Sequence, residues 1–191
     1  MSNADGKEYK NTMSATTLAI VDDHPLLAEG LAAVLNRHAE LDVVAIRHKA
    51  TDVIDIVEQY APDIILLDLN LPGDAFAALE DVRALSVATK LIVFTASTST
   101  DHAVSALKAG AAGFVLKGSQ ASELIDAIGC VLRGDIFITP SFAAKVIGAL
   151  QAKEAVRRAA DQAKLSVREE QIVRLLLSGK QNREIAASLK L

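Results

Sequence analysis

Five short apolar runs recur through residues 18–116, and amphipathic segments separate them. They are Leu18-Ala19-Ile20-Val21, Val43-Val44-Ala45-Ile46, Ile64-Ile65-Leu66-Leu67, Leu91-Ile92-Val93-Phe94 and Phe114-Val115-Leu116. A strand that is apolar without alternation is buried on both faces, the mark of a parallel sheet covered on both sides. Apolar residues at helical spacing follow each run: Leu27, Leu31, Val34 and Leu35, then Val53, Ile54 and Val57, which end before Pro62. Phe76, Leu79, Val82 and Leu85 predict a helix over 75–85. Val104 and Leu107 predict one closed by Gly110, and Leu124, Ile125, Ile128 and Val131 one closed by Gly134. Strands and helices in strict alternation, joined by right-handed crossovers, imply an α/β domain with a five-stranded, doubly wound parallel sheet.

Ligands of such sheets bind beyond the carboxyl ends of the strands. The residues there are Asp22 and Asp23 after the first run, Asp68 after the third, Thr95 after the fourth and Lys117 after the fifth. Taken singly, each has an ordinary explanation: a helix cap, a solvated loop, β-propensity. Together, at the matching ends of four strands, they form a set. Three carboxylates in one place repel each other and so either raise each other's pKa or hold a hard cation; for a cation, an oxygen-only donor set favours Mg²⁺. A phosphoryl group could then be accepted by a carboxylate, with the ammonium of Lys117 and the hydroxyl of Thr95 taking its oxygens. His24, in the turn after Asp23, reads as turn packing rather than catalysis. The single cysteine, Cys130, allows no internal disulfide and reads as a buried helical position beside Ile128 and Val131.

Val21-Asp22-Asp23-His24-Pro25, Leu67-Asp68-Leu69-Asn70-Leu71-Pro72-Gly73, Phe94-Thr95-Ala96 and Gly113-Phe114-Val115-Leu116-Lys117 resemble, in order and spacing, the receiver domains of bacterial two-component response regulators. The resemblance covers residues 16–135 and implies a flavodoxin-like receiver over 15–135. It implies that Asp68 accepts phosphate from a sensor histidine kinase. Asp23, Asp68 and the backbone carbonyl of Asn70 would then ligate Mg²⁺, with Asp22 acting through water. Thr95 and Phe114 match the family's switch pair, and dimerisation through receiver helices upon phosphorylation is implied too. Asp74-Ala75-Phe76 departs from the family pattern, which more often has an apolar residue and then Asp-Gly.

Charge divides the chain. Residues 1–140 hold 19 Asp and Glu against 10 Lys and Arg, and residues 141–191 hold 5 against 10, within an overall net charge of −4. An acidic body repels phosphate backbones, whereas a basic tail can approach them. Ser141, Phe142, Val146, Ile147 and Leu150 begin a helical pattern, and residues 136–164 read as a helical linker. Its helical part, 141–164, would extend on the order of 36 Å at about 1.5 Å per residue. Ser166 and Glu169 then form a capping box, and Ile172, Val173, Leu176 and Leu177 give the following helix its apolar side. Leu165, Arg168, Glu169, Gly179, Asn182, Glu184, Ile185, Ala186 and Leu189 resemble the start of the LuxR-type helix-turn-helix of NarL/FixJ response regulators. Gln181 stands where that family more often has Ser or Thr. The resemblance implies an incomplete module over 165–191 that lacks the recognition helix. Sequence-specific DNA binding is therefore expected of a longer protein and not of this chain, and no base-contacting residue is identified. The module's unpartnered apolar sides imply a segment that is mobile or packed on another surface.

Composition removes other classes. Aromatic residues are 4% of the chain and Trp is absent, too few for a base-stacking platform. No apolar run approaches the ~18 residues of a membrane helix. Residues 1–14 are polar and read as a disordered or appended N-terminus, with Met13 a candidate internal start, so the expected location is cytoplasmic. Three functions compete. The first is a phosphorylation-dependent transcription regulator, not an enzyme beyond weak self-phosphorylation and dephosphorylation. The second is a receiver module acting through protein–protein contacts alone. The third is a phosphatase of the haloacid dehalogenase type, which needs a second acid where this chain has Asn70. Asp22-Asp23-His24-Pro25 also replaces the glycine-rich turn that a dinucleotide site requires.

Overall fold

The computed structural model describes residues 15–163, 174–175 and 177–178, with side chains over 15–158 and at the last four positions. In chain order the elements are β1 (Thr16–Val21), α1 (Pro25–Leu35), β2 (Leu41–Arg47), α2 (Asp52–Tyr60), β3 (Ile64–Leu67), α3 (Ala75–Ala84), β4 (Lys90–Thr95), α4 (Thr100–Ala109), β5 (Gly113–Leu116), α5 (Ala121–Leu132), β6 (Phe137–Ile138) and α6 (Pro140–Ala163). Every strand pairing is parallel, and the sheet order is β2-β1-β3-β4-β5-β6. The chain winds outward from β1 to β2, then returns past β1 to β3. The crevice between β1 and β3 is therefore the point where strand order reverses.

The inner strands β1, β3, β4 and β5 are largely buried on both faces, as their unbroken apolar runs require, whereas the edge strands β2 and β6 are only partly buried. Leu18, Ile20, Ile64, Leu66, Ile92, Phe94 and Val115 face α1 and α5, packing on Ala28, Ala32, Leu35, Leu124, Ala127, Ile128 and Val131. The alternate residues Ala19, Val21, Ile65, Leu67, Leu91 and Val93 are equally buried and turn to the opposite face, by the two-residue period of a strand. Helix starts follow local chemistry. Pro25 opens α1 at a position where its missing N–H costs nothing. Asp74 caps α3 by accepting from the N–H groups of Phe76 and Ala77, both at 3.0 Å. The departure from the family pattern at Asp74 therefore starts a helix.

Three sequence expectations are corrected. The sheet has six strands among the described residues rather than five. Strand β6 has only two residues, too short to show a period. The compact unit does not stop at 135. It runs through β6 to Ile147, with a second unit from Gly148 onward, and Phe142 and Val146 are buried within the first unit. The predicted linker helix is present, but its first two turns are core. Cys130 is half-buried rather than buried, its sulfur 4.0 Å from the Ile136 carbonyl. The N-terminal segment 1–14 and the helix-turn-helix reading of 165–191 lie outside the described residues, apart from helical 174–175 and 177 and a turn at 178. Among the described residues no helix is long and apolar enough to cross a membrane.

Gly110 shows how tightly the helices are seated. It ends α4 at φ +119°, and its N–H donates to the carbonyls of Ala106 and Leu107. An added Cβ would stand 3.0 Å from Cδ and 3.1 Å from Cβ of Arg83. That arginine is itself fixed by donating to the Lys108 carbonyl at 2.7 Å. Gly110→Ala is expected to destabilise the protein by about 1–2 kcal/mol through left-handed strain alone. Urea unfolding should show a lower midpoint at unchanged slope; an unchanged midpoint contradicts this.

Candidate functional site

Strand register brings the acidic residues together. Val21 pairs with Leu67 across β1 and β3, so Asp22 and Asp68 emerge side by side. The Asp68 N–H donates to the Val21 carbonyl at 3.0 Å, and that of Asp22 to the Arg47 carbonyl at 3.0 Å. On the other flank Thr95 pairs with Leu116, and the Lys117 N–H donates to the Thr95 carbonyl at 2.9 Å. All five residues read from the strand ends thus face one crevice.

Lys117 joins them. Its Nζ lies 2.6 Å from Asp68 Oδ2 and 2.7 Å from Asp22 Oδ2, and all three side chains are largely buried. The other oxygens of these two acids are taken by backbone. Asp68 Oδ1 accepts from the Asn70 N–H at 3.3 Å, and Asp22 Oδ1 from the His24 N–H at 3.0 Å. Thr95 is fully buried, and its Oγ1 accepts from the Ser97 N–H at 3.3 Å. Burial pushes the Asp68 carboxyl up. Hydrogen bonds from Lys117 and Thr95, the Lys117 charge and the Asn70 N–H outweigh it and leave the group below its ordinary value. Burial likewise pushes Lys117 down, and its hydrogen bonds and charge contacts with Asp22 and Asp68 more than reverse this.

Asp23 is the odd member. Its Oδ1 is buried and accepts no hydrogen bond among the described residues. His24 Nδ1 stands 2.8 Å from it, but makes its hydrogen-bonding contact with Asp22 Oδ1 at 3.2 Å. Asp22, Asp23, His24 and Asp68 each offer a ligand atom, all within 4.8 Å of one another. Unit charges about 4 Å apart repel by about 1 kcal/mol in water and about 4 kcal/mol near a protein surface. One ammonium among three carboxylates leaves two negative charges uncompensated. A buried carboxylate oxygen that accepts no hydrogen bond in that field suits a hard divalent cation, and Mg²⁺ fits the donor set. Asp23 and Asp68 would hold it directly. Asp22 and Asp68 each have one oxygen on Lys117 and the other on a backbone N–H, so the water-mediated role of Asp22 remains what the family resemblance implies. Asn70 lies in the loop after β3, where its N–H already serves Asp68.

Phe114 lies on β5, fully buried, and stacks on Phe142 of α6 with ring centroids 5.7 Å apart and planes at 29°. Sequence reasoning missed two supports. His48, just past β2, contacts the Asp22 carbonyl through Nδ1 at 2.7 Å; a carbonyl only accepts, so that nitrogen carries the proton. Thr139, before α6, bonds to the end of β5. Neither has a motif, because each acts through backbone groups.

A family model described as the response regulator receiver domain matches residues 18–129. The nitrate/nitrite response regulator protein NarL of Escherichia coli is 30% identical over 174 residues, 91% of this chain and 80% of that protein. The transcriptional regulatory protein LiaR of Bacillus subtilis is 30% identical over 171 residues, 89% of this chain and 80% of that protein. Among solved structures, a two-component response regulator of the LuxR family from an Aurantimonas species superposes with a TM-score of 0.67 at 32% identity, covering 75% of this chain and 99% of that one.

The shifted groups give a test without metal. In Mg²⁺-free protein the Asp68 carboxyl, followed by carbon NMR, should titrate below its ordinary 3.8. Lys117→Met should move it upward. Because the folded-state value is lowered, the stability it contributes is present above 3.8 and lost as pH falls through the folded value. Lys117 is the mirror case, contributing below 10.5 and losing that contribution as pH rises through its raised value. A wild-type Asp68 midpoint at or above 3.8 contradicts the assignment.

Proposed function

The chain belongs to the response regulators of two-component systems, in the NarL/FixJ class, and from that membership we propose that Asp68 is its phosphoryl acceptor. The observation that carries this reading is the shared ammonium: Lys117 Nζ is held 2.6 Å from Asp68 and 2.7 Å from Asp22, beside a buried Asp23 oxygen that accepts no hydrogen bond among the described residues.

The step is a displacement at phosphorus. A carboxylate oxygen of Asp68 forms the new P–O bond as the bond from phosphorus to the donor breaks. With a kinase phosphohistidine as donor, the leaving imidazole keeps the electron pair and, protonated on its other nitrogen, departs neutral. The product is an acyl phosphate. Hydrogen bonding keeps the Asp68 carboxyl ionised, which is the form that attacks. Lys117 can transfer its N–H donors from the two carboxylates to the phosphoryl oxygens. The Thr95 hydroxyl can rotate its proton toward the same oxygens, since the Ser97 N–H already occupies one of its lone pairs. Bound Mg²⁺ would supply positive charge that offsets both the carboxylates and the arriving phosphoryl group. The chain acts once per phosphoryl transfer and is not a turnover enzyme, beyond weak self-phosphorylation and dephosphorylation.

Its donor is a sensor histidine kinase and its output is control of transcription through a C-terminal DNA-binding domain. Support for that output comes from the helix-turn-helix resemblance of 165–191, the basic balance of residues 141–191, and relatives named as response and transcriptional regulators. Phosphorylation would shift a pre-existing two-state equilibrium.

Incubation with Mg²⁺ and acetyl phosphate should add the mass of one phosphoryl group to the intact protein. Asp68→Ala should abolish the gain, and Asp23→Asn should weaken its dependence on Mg²⁺. Labelling that persists in Asp68→Ala refutes the acceptor assignment.

A further inference from the structure

Beyond the strand-end pocket, a group of buried polar and aromatic contacts lies where the chain leaves β6 and enters α6. Strand β6 pairs only with Gly113 and Phe114, so the ladder on β5 stops two residues short of its end. Thr139 completes it. Its N–H donates to the Phe114 carbonyl at 3.0 Å, and its Oγ1 accepts from the Leu116 N–H at 3.1 Å. Leu116 is followed directly by Lys117. Thr139 is 1% exposed, so without its hydroxyl the Leu116 N–H would lose its partner in a buried setting. The Thr139 carbonyl accepts from the N–H groups of Phe142 and Ala143 at 2.8 and 3.0 Å, which starts α6. Phe142, one turn on, covers the ring of Phe114, and Val146 closes the same buried face.

We propose that Thr139 and Phe142 are positioning residues for the phosphoryl site: the Thr139 hydroxyl fixes the end of β5 and with it Lys117, Phe142 fixes the ring of Phe114, and α6 thereby registers the state of Asp68. The proposal rests on Asp68 being the acceptor. When a phosphoryl group draws Lys117 away from Asp22 and Asp68, the backbone that moves is the backbone Thr139 holds. The Phe114 ring cannot change rotamer without displacing Phe142, because a close-packed interior has no spare room for it. Coupling between sites is reciprocal, so loosening the α6 end must alter the pocket.

Thr139→Val keeps the shape and removes the hydroxyl, while Thr139→Ser keeps the hydroxyl. With Mg²⁺ and acetyl phosphate, the initial labelling rate should fall about fivefold in Thr139→Val, the effect of one lost hydrogen bond. Thr139→Ser should stay close to wild type. A wild-type rate in Thr139→Val, or equal slowing in both variants, overturns the positioning role. For the aromatic half, hydrogen exchange over 140–147 should differ between labelled and unlabelled wild type, and Phe142→Leu should shrink that difference. Identical exchange in labelled and unlabelled wild type overturns it. Should wild type take no label, the acceptor assignment fails, and the clamp is judged on the Leu116 amide of unlabelled protein. Thr139→Val must then lose protection that Thr139→Ser keeps, and protection retained in Thr139→Val overturns the clamp.

Discussion

An ammonium shared between two buried carboxylates sets the arrangement of the whole strand-end rim. Burying Asp22 and Asp68 side by side without Lys117 would leave two like charges desolvated in contact, a penalty of several kcal/mol per ion. With Lys117 between them, the cost of burial is offset by short charge-assisted hydrogen bonds. The balance is deliberately incomplete. Asp23 remains without a hydrogen-bond donor on its buried oxygen, so the pocket is ordered yet still anionic. A site that gains and loses a cation and a phosphoryl group, as the proposed function has it, needs that combination. Full neutralisation would give neither group a reason to bind, and no neutralisation would leave no defined geometry to bind to.

The sheet makes this arrangement inexpensive. A parallel strand order that reverses between β1 and β3 delivers Asp22, Asp23 and Asp68 to one crevice without any long-range loop. The β4–β5 pairing brings Thr95 and Lys117 to its other wall. The backbone then adds fixed dipoles: the Asn70 and His24 amides point at the carboxylates they follow. Such short turn contacts are preorganised by chain connectivity, and so hold an anion at little entropic cost.

What could be read from sequence follows from how each feature is encoded. Strands β1 to β5 and the pocket residues announce themselves because unbroken apolar runs alternate with amphipathic helices and chemistry collects at strand ends. Strand β6 does not, since Phe137-Ile138 between Asp135 and Pro140 has no room for a period. Thr139 is invisible for a related reason: a threonine whose hydroxyl accepts from a backbone N–H carries no pattern. The burial of Phe142 against the sheet is not legible in the sequence, because its helical spacing with Val146 is equally what an independent linker would show. Cys130 sits between buried Ile128 and Val131 and exposed Leu132, so helical neighbours alone misplace it. Asp74 shows the converse. It departs from a family pattern yet obeys a more general one, the capping of a helix by an aspartate.

The energetic scale decides whether the α6 junction can matter. A net hydrogen bond contributes about 0.5–1.5 kcal/mol, and a stacked aromatic pair about 0.5–1.5 kcal/mol beyond its burial. Thr139 with Leu116 and Phe142 with Phe114 together therefore reach the 1–3 kcal/mol typical of coupling between sites. That is too little to turn an equilibrium from about 1:99 to 99:1, which requires about 5.5 kcal/mol. The junction can thus bias α6 but cannot command it. On the proposed function, the larger part of the switch comes from the charge rearrangement at Asp68, with the proposed clamp deciding which backbone feels it first. That division of labour assigns the driving force to the rim and the direction to β5. It also explains why a helix that reads from sequence as a connector begins as part of the core.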